Sequence, residues 1–242
     1  LGPGRRSRRS GGGKTFDAGM RGMIVLADFE AVRVPNDAHA RSLLWYRRAV
    51  STSIALPAAL SRELTAIVGG EGSVTALAAL TVYECDGYTL ERAVPQLVVL
   101  PRTTDEVARV VAAAWRAGVP FVPRGAGTGL SGGCLASPAP LVVCTSRMRT
   151  IRAIDLPNRR LVAEAGVVNA EGSRVVRSAG LQYVPDPSSQ NACTIGGNVA
   201  ENSGGPHTLK YGVTTNHLLG VELVLPDGEV VQLGDSLDDT LG

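Results

Sequence analysis

Five of the ten residues in RGAGTGLSGG (Arg124–Gly133) are glycines: Gly125, Gly127, Gly129, Gly132 and Gly133. They have no side chains to react, so any chemistry here belongs to the backbone. Glycine costs conformational entropy on folding and buries nothing. A run this dense points either to a linker or to backbone that comes very close to something. Apolar segments flank it, PFV before and PLVVC (Pro140–Cys144) after, and a linker is not normally clamped between two core strands.

Three phosphate-binding patterns can be weighed. Gly127-x-Gly129-x-x-Gly132 has the Rossmann spacing, but a Rossmann turn opens a helix, and here Pro138, Pro140 and a strand follow. No Gly-Lys-Ser/Thr follows, so a Walker loop is excluded. There remains a helix-free loop whose N–H groups form an anion-binding concavity, beside the plainer alternative of tight turns with no ligand. A second stretch, PDPSSQNACTIGGNVAENSGGPHTLKYG (Pro185–Gly212), carries the pairs Gly196-Gly197 and Gly204-Gly205 without a sustained period. It reads as a long ordered loop. Two such loops suit a long diphosphate ligand better than a single phosphate.

Side chains beside the loops offer fewer leads. Arg124 either offsets phosphate charge or is an exposed arginine at a strand end. His207, Lys210 and Tyr211 close the second loop, where they would either face a ligand or pack the loop. His217 reads as structural, and Glu84 and Asp86 in YECDG as turn residues.

The elements that hold these loops follow from periodicity. PAALSRELTAIV (Pro57–Val68) has proline at its first turn and Gly69 after its last, the boundaries of a helix. SVTALAALTVYECDGYTLERAV reads as mixed helix and loop. QLVVL (Gln96–Leu100) reads as a buried strand. Thr103 or Thr104 caps a helix with Asp105 and Glu106 in its first turn, ending at Gly118 before the strand PFVP. Strand, helix, strand predicts a parallel pair, with the first glycine run at the carboxyl end where open α/β sheets bind ligands. TIRAID and RLVAEAGV form a hairpin around Pro157-Asn158. A helix over NAEGSRVVRSAG has Asn169 as its cap and Gly180 as its stop. A last hairpin turns at Pro226-Asp227-Gly228.

Bulk properties allow one large or two small domains in 242 residues, with 44% hydrophobic and 19% charged residues. No stretch approaches the ~20 apolar residues of a transmembrane span. The net charge of +2 is uneven: residues 1–50 carry ten Lys/Arg and four Asp/Glu (+6), and the remainder fourteen and eighteen (−4). The basic head, mainly RRSRRS, lacks interleaved aromatics and a following apolar run, so neither a nucleic-acid arm nor a secretory signal is expected. Met20 or Met23 is a candidate start. Cys85, Cys134, Cys144 and Cys193 stand far apart without a C-x-x-C pair, and His39, His207 and His217 lack ligand spacing. No metal site is expected, and a reduced cytoplasmic environment is.

PRGAGTGLSGG, PDPSSQNACTIGGNVAENSGG and LKYG, in this order, closely resemble the PCMH-type (vanillyl-alcohol-oxidase-like) FAD-binding domain, and within it the FAD subunit of glycolate oxidase and D-lactate dehydrogenases. The resemblance runs from about Leu56 to the end. It implies an α+β fold, a small parallel α/β subdomain (about 92–145) plus a second subdomain (146–242) with an antiparallel sheet and helices. Residues 51–91 form a helical segment, and residues 1–50 a poorly ordered head. It also implies that Pro123, Arg124, Gly125, Ala126, Gly127, Thr128, Gly129, Leu130, Ser131, Gly132 and Gly133 hold the FAD pyrophosphate. Pro187, Ser188, Ser189, Gly196, Gly197, Ala200, Asn202 and Gly204 would line the flavin and ribityl parts. The first loop has no histidine, so the FAD is expected to be non-covalent.

The implied activity is oxidation of a small 2-hydroxy acid, glycolate or D-lactate, by hydride transfer to FAD. The alternative is a non-catalytic or partner-dependent FAD-binding module. Other oxidase subunits are implied partners, and through them a place at the periphery of the inner membrane. Family members continue into a cap domain that positions substrate, and this sequence ends before it. The chain alone is therefore expected to bind FAD weakly or not at all, and to turn over neither acid.

Overall fold

The computed structural model describes Ile24–Val25 and residues 54–234. The basic head expected over residues 1–50 lies outside the described residues apart from Ile24–Val25, as do residues 51–53 and 235–242.

The first helix, α1 (Ala58–Val68), follows Pro57 and stops at Gly69, whose φ of 75° is left-handed. Leu60, Leu64 and Val68 repeat every four residues and are buried, the stripe of a helix with one apolar face. Next come β2 (Ser73–Val74), after β1 (Ile24–Val25), then α2 (Leu77–Leu80) and β3 (Leu97–Val99). β2 is a short strand inside the segment expected as mixed helix and loop.

α3 (Thr104–Arg116) begins as its sequence predicts. Thr103 Oγ1 accepts from the Glu106 N–H at 3.1 Å, and Glu106 Oε2 accepts from the Arg102 N–H at 2.7 Å. One helix-start donor is thereby satisfied, together with the N–H just ahead of the cap, with acids at the positive end of the dipole. Left-handed Gly118 ends the turn and feeds β4 (Phe121–Arg124). β5 (Leu141–Cys144) follows the glycine run.

The main sheet has the order β2-β3-β5-β4. β3 and β4 run the same way, as expected of a βαβ unit, but β5 lies between them, parallel to both. Strands LVV and LVVC are buried along their whole length, as interior parallel strands with both faces covered must be. On one face α1 and α3 press Leu60, Leu64, Val110 and Ala114 onto Leu97, Val99, Leu141 and Val143. On the other, Leu80 and Ala136 cover Val98, Val142 and Cys144.

The second half has antiparallel hairpins, as expected, divided between two sheets. β6 (Ile151–Asp155) and β7 (Arg160–Ala163) form the expected hairpin as a pair of their own. β8 (Gly220–Val224) and β9 (Val230–Gly234) are antiparallel, and β1 joins β8 in parallel. Ile24–Val25, assigned by composition to the head, therefore contribute a strand. α3 serves both halves. Its Val107 and Val111 pack with Met148, Ala165 and Val224, and Thr104 Oγ1 donates to the buried Glu222 carboxylate on β8 at 2.5 Å. A Cβ at Gly228 would come 2.7 Å from Ala108 O and Ala112 Cβ, so the β8–β9 turn presses directly onto α3.

Two local expectations are corrected. α4 (Asn169–Val176) has Val168 at its cap position, and Asn169 lies inside the helix with its amide donating to Pro185 O at 2.9 Å. The long second loop is not free of regular structure. It holds α5 (Ile195–Ala200) and α6 (Thr208–Tyr211), too short to show a period.

Candidate functional site

Arg124 ends β4 and pairs with Cys144 on β5, so the glycine run leaves the sheet at the carboxyl ends of its parallel strands. The side chain is not an exposed strand-end arginine. It folds back beneath the loop, 8% exposed, with Nη2 donating to Cys85 O at 2.9 Å and the guanidinium carbon 5.5 Å from the Tyr83 ring centre. Among the described residues no carboxylate pairs with it, and its Nη1 is buried with no partner. A buried cation without a counter-charge costs several kcal/mol of desolvation. An arriving anion would offset that cost.

Above this cation the loop backbone is unspent. Among the described residues, none of the N–H groups from Gly125 to Cys134 donates to a protein acceptor. Consecutive free N–H groups over a fixed positive charge make an anion cradle. Gly127 has φ +70° and Gly132 +76°, the left-handed conformation that glycine tolerates. A Cβ at Gly127 would meet the guanidinium of Arg124, but it is the left-handed φ that favours glycine here. Gly129 differs. Its φ is outside the left-handed range, and a Cβ there would meet nothing nearer than Glu201 Cδ at 4.0 Å. That space beside Gly129 is open to a ligand.

The second loop meets the first directly. A Cβ at Gly125 would lie 2.5 Å from Thr194 Oγ1 and 3.8 Å from Gly197 Cα. Ser131 Oγ donates to Glu201 Oε2 at 2.9 Å, and a Cβ at Gly133 would lie 3.0 Å from Glu201 Oε1. The first turn of α5 is already occupied: Ile195 N–H donates to Val167 O, Gly196 N–H to Ala165 O, and Gly197 N–H to Thr194 Oγ1. Gly196 therefore serves close packing, since a Cβ there would come 2.7 Å from Ala165 Cβ. Ser188 and Ser189 differ again. Among the described residues their hydroxyls and N–H groups have no partner, in a turn closed by Gln190 N–H to Pro187 O. Thr128 Oγ1 is likewise free, and Ala126 and Leu130 are exposed. Ala200 is exposed at the end of α5. Asn202, with φ +49°, accepts from Thr215 N–H at 3.1 Å, and Gly204 packs on Thr208 Oγ1, so both hold the chain path after α5.

A third segment completes the site, and the turn reading of YECDG did not assign it there. Cys85–Tyr88 passes under the first loop. Cys85 O receives Arg124, and a Cβ at Gly87 would come 2.6 Å from Gly129 O. Asp86 makes the expected turn, its Oδ1 accepting from Tyr88 N–H at 2.8 Å. The Asp86-Gly87 dipeptide signals a turn, but nothing in its spacing signals where that turn packs. Asn198, 1% exposed, was also missed, and its Nδ2 has no partner among the described residues. Burial pushes the Cys134 thiol up to about 11, with the carboxylates of Asp86 and Glu201 adding and Arg124 opposing. It stays protonated and is a poor nucleophile.

His207 and its neighbours sit apart from the cradle contacts. His207 Nδ1 lies 2.7 Å from Asp186 Oδ2, Lys210 Nζ stands 4.8 Å over the Tyr211 ring, and His217 Nε2 lies 3.0 Å from Tyr211 O. His207, Lys210 and Tyr211 are exposed, and these contacts stay within the second loop and its flank. Among the described residues no group of His, Cys, Asp and Glu is arranged to hold a metal.

Residues 95–234 match the model of the FAD binding domain family. The chain belongs to this family. It is 48% identical over 157 residues to glycolate oxidase subunit GlcD of Escherichia coli K12, covering 64% of this chain and 32% of that protein. Identity to GlcD of Bacillus subtilis is 39% over 178 residues, 74% of this chain and 38% of the relative. With a D-lactate dehydrogenase of Anaerostipes hadrus it is 36% over 149 residues, 62% of this chain and 31% of that one. The chain thus spans about a third of the length of these relatives. Among solved structures it is similar to an alkyldihydroxyacetonephosphate synthase (TM-score 0.67, 22% identity, 78% of this chain and 38% of that one). It is also similar to a 4-ethylphenol oxidase from Gulosibacter chungangensis (TM-score 0.62, 24% identity, 72% and 34%). These likenesses bear out the α+β fold of the resemblance and its FAD cofactor. Among the described residues no helix is long and apolar enough to cross a membrane.

Proposed function

We propose that this chain is the FAD-binding part of an oxidoreductase that oxidises a small 2-hydroxy acid, of the glycolate or D-lactate type. The observation that carries the cofactor half is the run of free N–H groups from Gly125 to Cys134 above the unpaired guanidinium of Arg124. The substrate half is supported by identity to GlcD subunits and a D-lactate dehydrogenase.

When bound, FAD supplies a two-electron acceptor for the hydride of the substrate's α-carbon. The residues of this chain bind and orient it. Arg124 supplies fixed positive charge toward the diphosphate, and the Gly125–Gly133 backbone supplies donors that need no reorganisation. The open space at Gly129 admits the phosphates at backbone distance. Ser188 and Ser189 offer unspent hydroxyls and N–H groups from the facing loop, suited to the polar edge of a flavin or ribityl chain. Gly196, Gly197, Asn202 and Gly204 hold the path of the second loop through their own packing and hydrogen bonds. A GlcD-like assembly implies further subunits, a cytoplasmic setting, and peripheral attachment at the inner membrane through them.

A second reading, a module that binds FAD and depends on other polypeptide for substrate, is kept open by the third of the relatives' length that the chain spans. Anaerobic addition of glycolate or D-lactate separates the two. With the remaining oxidase polypeptide present, either acid should bleach the visible flavin bands. Bleaching by neither would overturn the substrate assignment. Bleaching of the FAD-loaded chain alone would remove the partner-dependent reading.

A further inference from the structure

Ser131 and Glu201 lie 70 residues apart, and their hydrogen bond directly joins the side chains of the two glycine loops. Glu201 follows α5, whose first turn is fixed on Val167, Ala165 and Thr194. Its carboxylate reaches the first loop at three places: 2.9 Å from Ser131 Oγ, 3.0 Å from the Cβ direction of Gly133, and 4.0 Å from that of Gly129. It accepts from the Ser131 hydroxyl and from none of the loop N–H groups, which remain free among the described residues. The acid therefore holds the loop without spending its donors. A carboxylate seated in the cradle would bond the N–H groups and compete with phosphate.

We infer that Glu201 is a positioning residue for the diphosphate cradle, acting through Ser131 to hold the distal arm of the first loop against α5. The inference rests on the FAD reading above and adds a residue outside the glycine motif to it. At the proximal end Cys144 Sγ donates to Gly125 O at 3.5 Å, with Arg124 beneath; Ser131–Glu201 fixes the opposite end. With both in place the span from Gly125 to Gly133 is held in its binding shape before ligand arrives, which lowers the ordering cost of binding. The required chemistry is an acceptor at Glu201, not a charge. The charge opposes the incoming phosphates, whereas the acceptor orients the serine.

The test is FAD binding by quenching of flavin fluorescence, measured for Glu201→Ala, Glu201→Gln, Ser131→Ala and the double alanine variant. Glu201→Ala and Ser131→Ala should each weaken FAD about three- to ten-fold, a modest loss because the bond is exposed. The double variant should lose no more than the larger single loss. Glu201→Gln keeps an acceptor oxygen and removes the charge, so it should bind FAD as tightly as wild type or tighter. A glutamine variant as weak as the alanine variant would overturn the inference, as would additive single losses or unchanged binding in all variants. Wild-type chain that binds no FAD would overturn the underlying FAD reading instead.

Discussion

Gly127 and Gly129 are two residues apart in one loop, yet the structure gives them opposite reasons for being glycine. At Gly127 an alanine would have to adopt φ +70°, and its Cβ would lie 2.1 Å from Arg124 Nη2 and 2.5 Å from Cζ. The left-handed conformation costs a non-glycine residue about 1–2 kcal/mol. The guanidinium is the end of a long side chain and can shift aside, so it adds little to that cost. Gly127→Ala should thus destabilise the cofactor-free chain by roughly 1–2 kcal/mol, or about 2–8 °C in melting temperature for a domain of this size. Gly129→Ala meets only Glu201 Cδ at 4.0 Å and needs no left-handed backbone. Its melting temperature should hold or rise slightly, since alanine restricts the unfolded chain. Its FAD affinity should still fall about ten-fold or more, because the methyl group occupies space the phosphates need. Thermal melts by circular dichroism and a flavin-fluorescence titration measure both quantities. A Gly127→Ala variant that melts like wild type, or a Gly129→Ala variant that binds FAD like wild type, would refute the assignment.

Replacing Arg124 by methionine should leave the cofactor-free chain as stable or stabilise it, because an unpaired buried charge is removed, and should weaken FAD; denaturant titration and FAD binding give the two signs. The first loop has no histidine, so acid precipitation of the FAD-loaded protein should leave the flavin in the supernatant, and a yellow pellet would contradict non-covalent attachment. Burial raises the Cys134 thiol from 9.0 to about 11 and the Tyr183 phenol from 10.0 to about 12. The folded state thus holds both protons more tightly than the unfolded chain, and the stability this gives is complete below about pH 9 and is lost as pH rises toward 12. Melting temperature should decline from pH 9 to 11, less steeply in Cys134→Ala, and a flat profile would contradict the burial of these groups.

The parts of the fold legible in the sequence are those fixed by local chemistry. Thr103 with Glu106 marked the start of α3, the uninterrupted LVV and LVVC marked strands buried on both faces, and Pro226-Asp227-Gly228 marked the last turn. What escaped depends on contacts distant in sequence. No pattern around Leu141 says that β5 inserts between β3 and β4. Asn169 has the residue type of a cap but spends its amide on Pro185, across 16 residues of chain. At the site, glycine density located both loops but not what each glycine serves. Gly127 takes a left-handed φ, Gly125 accommodates Thr194, Gly196 accommodates Ala165, and Gly129 alone of these faces open space. Cys85–Tyr88 was read as a turn because a turn is all that Asp86-Gly87 encodes locally. Its place under the first loop depends on Arg124 folding back to Cys85.

The central claim is that the backbone of Gly125–Gly133, over Arg124, holds the diphosphate of FAD. Both loops and the segment beneath them lie within the described residues, so the chain itself is expected to bind FAD, in place of the weak or absent binding expected from the sequence. FMN shares the flavin and one phosphate with FAD but lacks the second phosphate and the adenosine, so titrating both wild type and Gly129→Ala separates the diphosphate's share from the adenosine's. Equilibrium dialysis of the chain against each at matched ionic strength should show FAD bound about a hundred-fold more tightly, given the charge-assisted bonds available to a second phosphate. Equal affinity for FAD and FMN, or retention of neither, would contradict the claim.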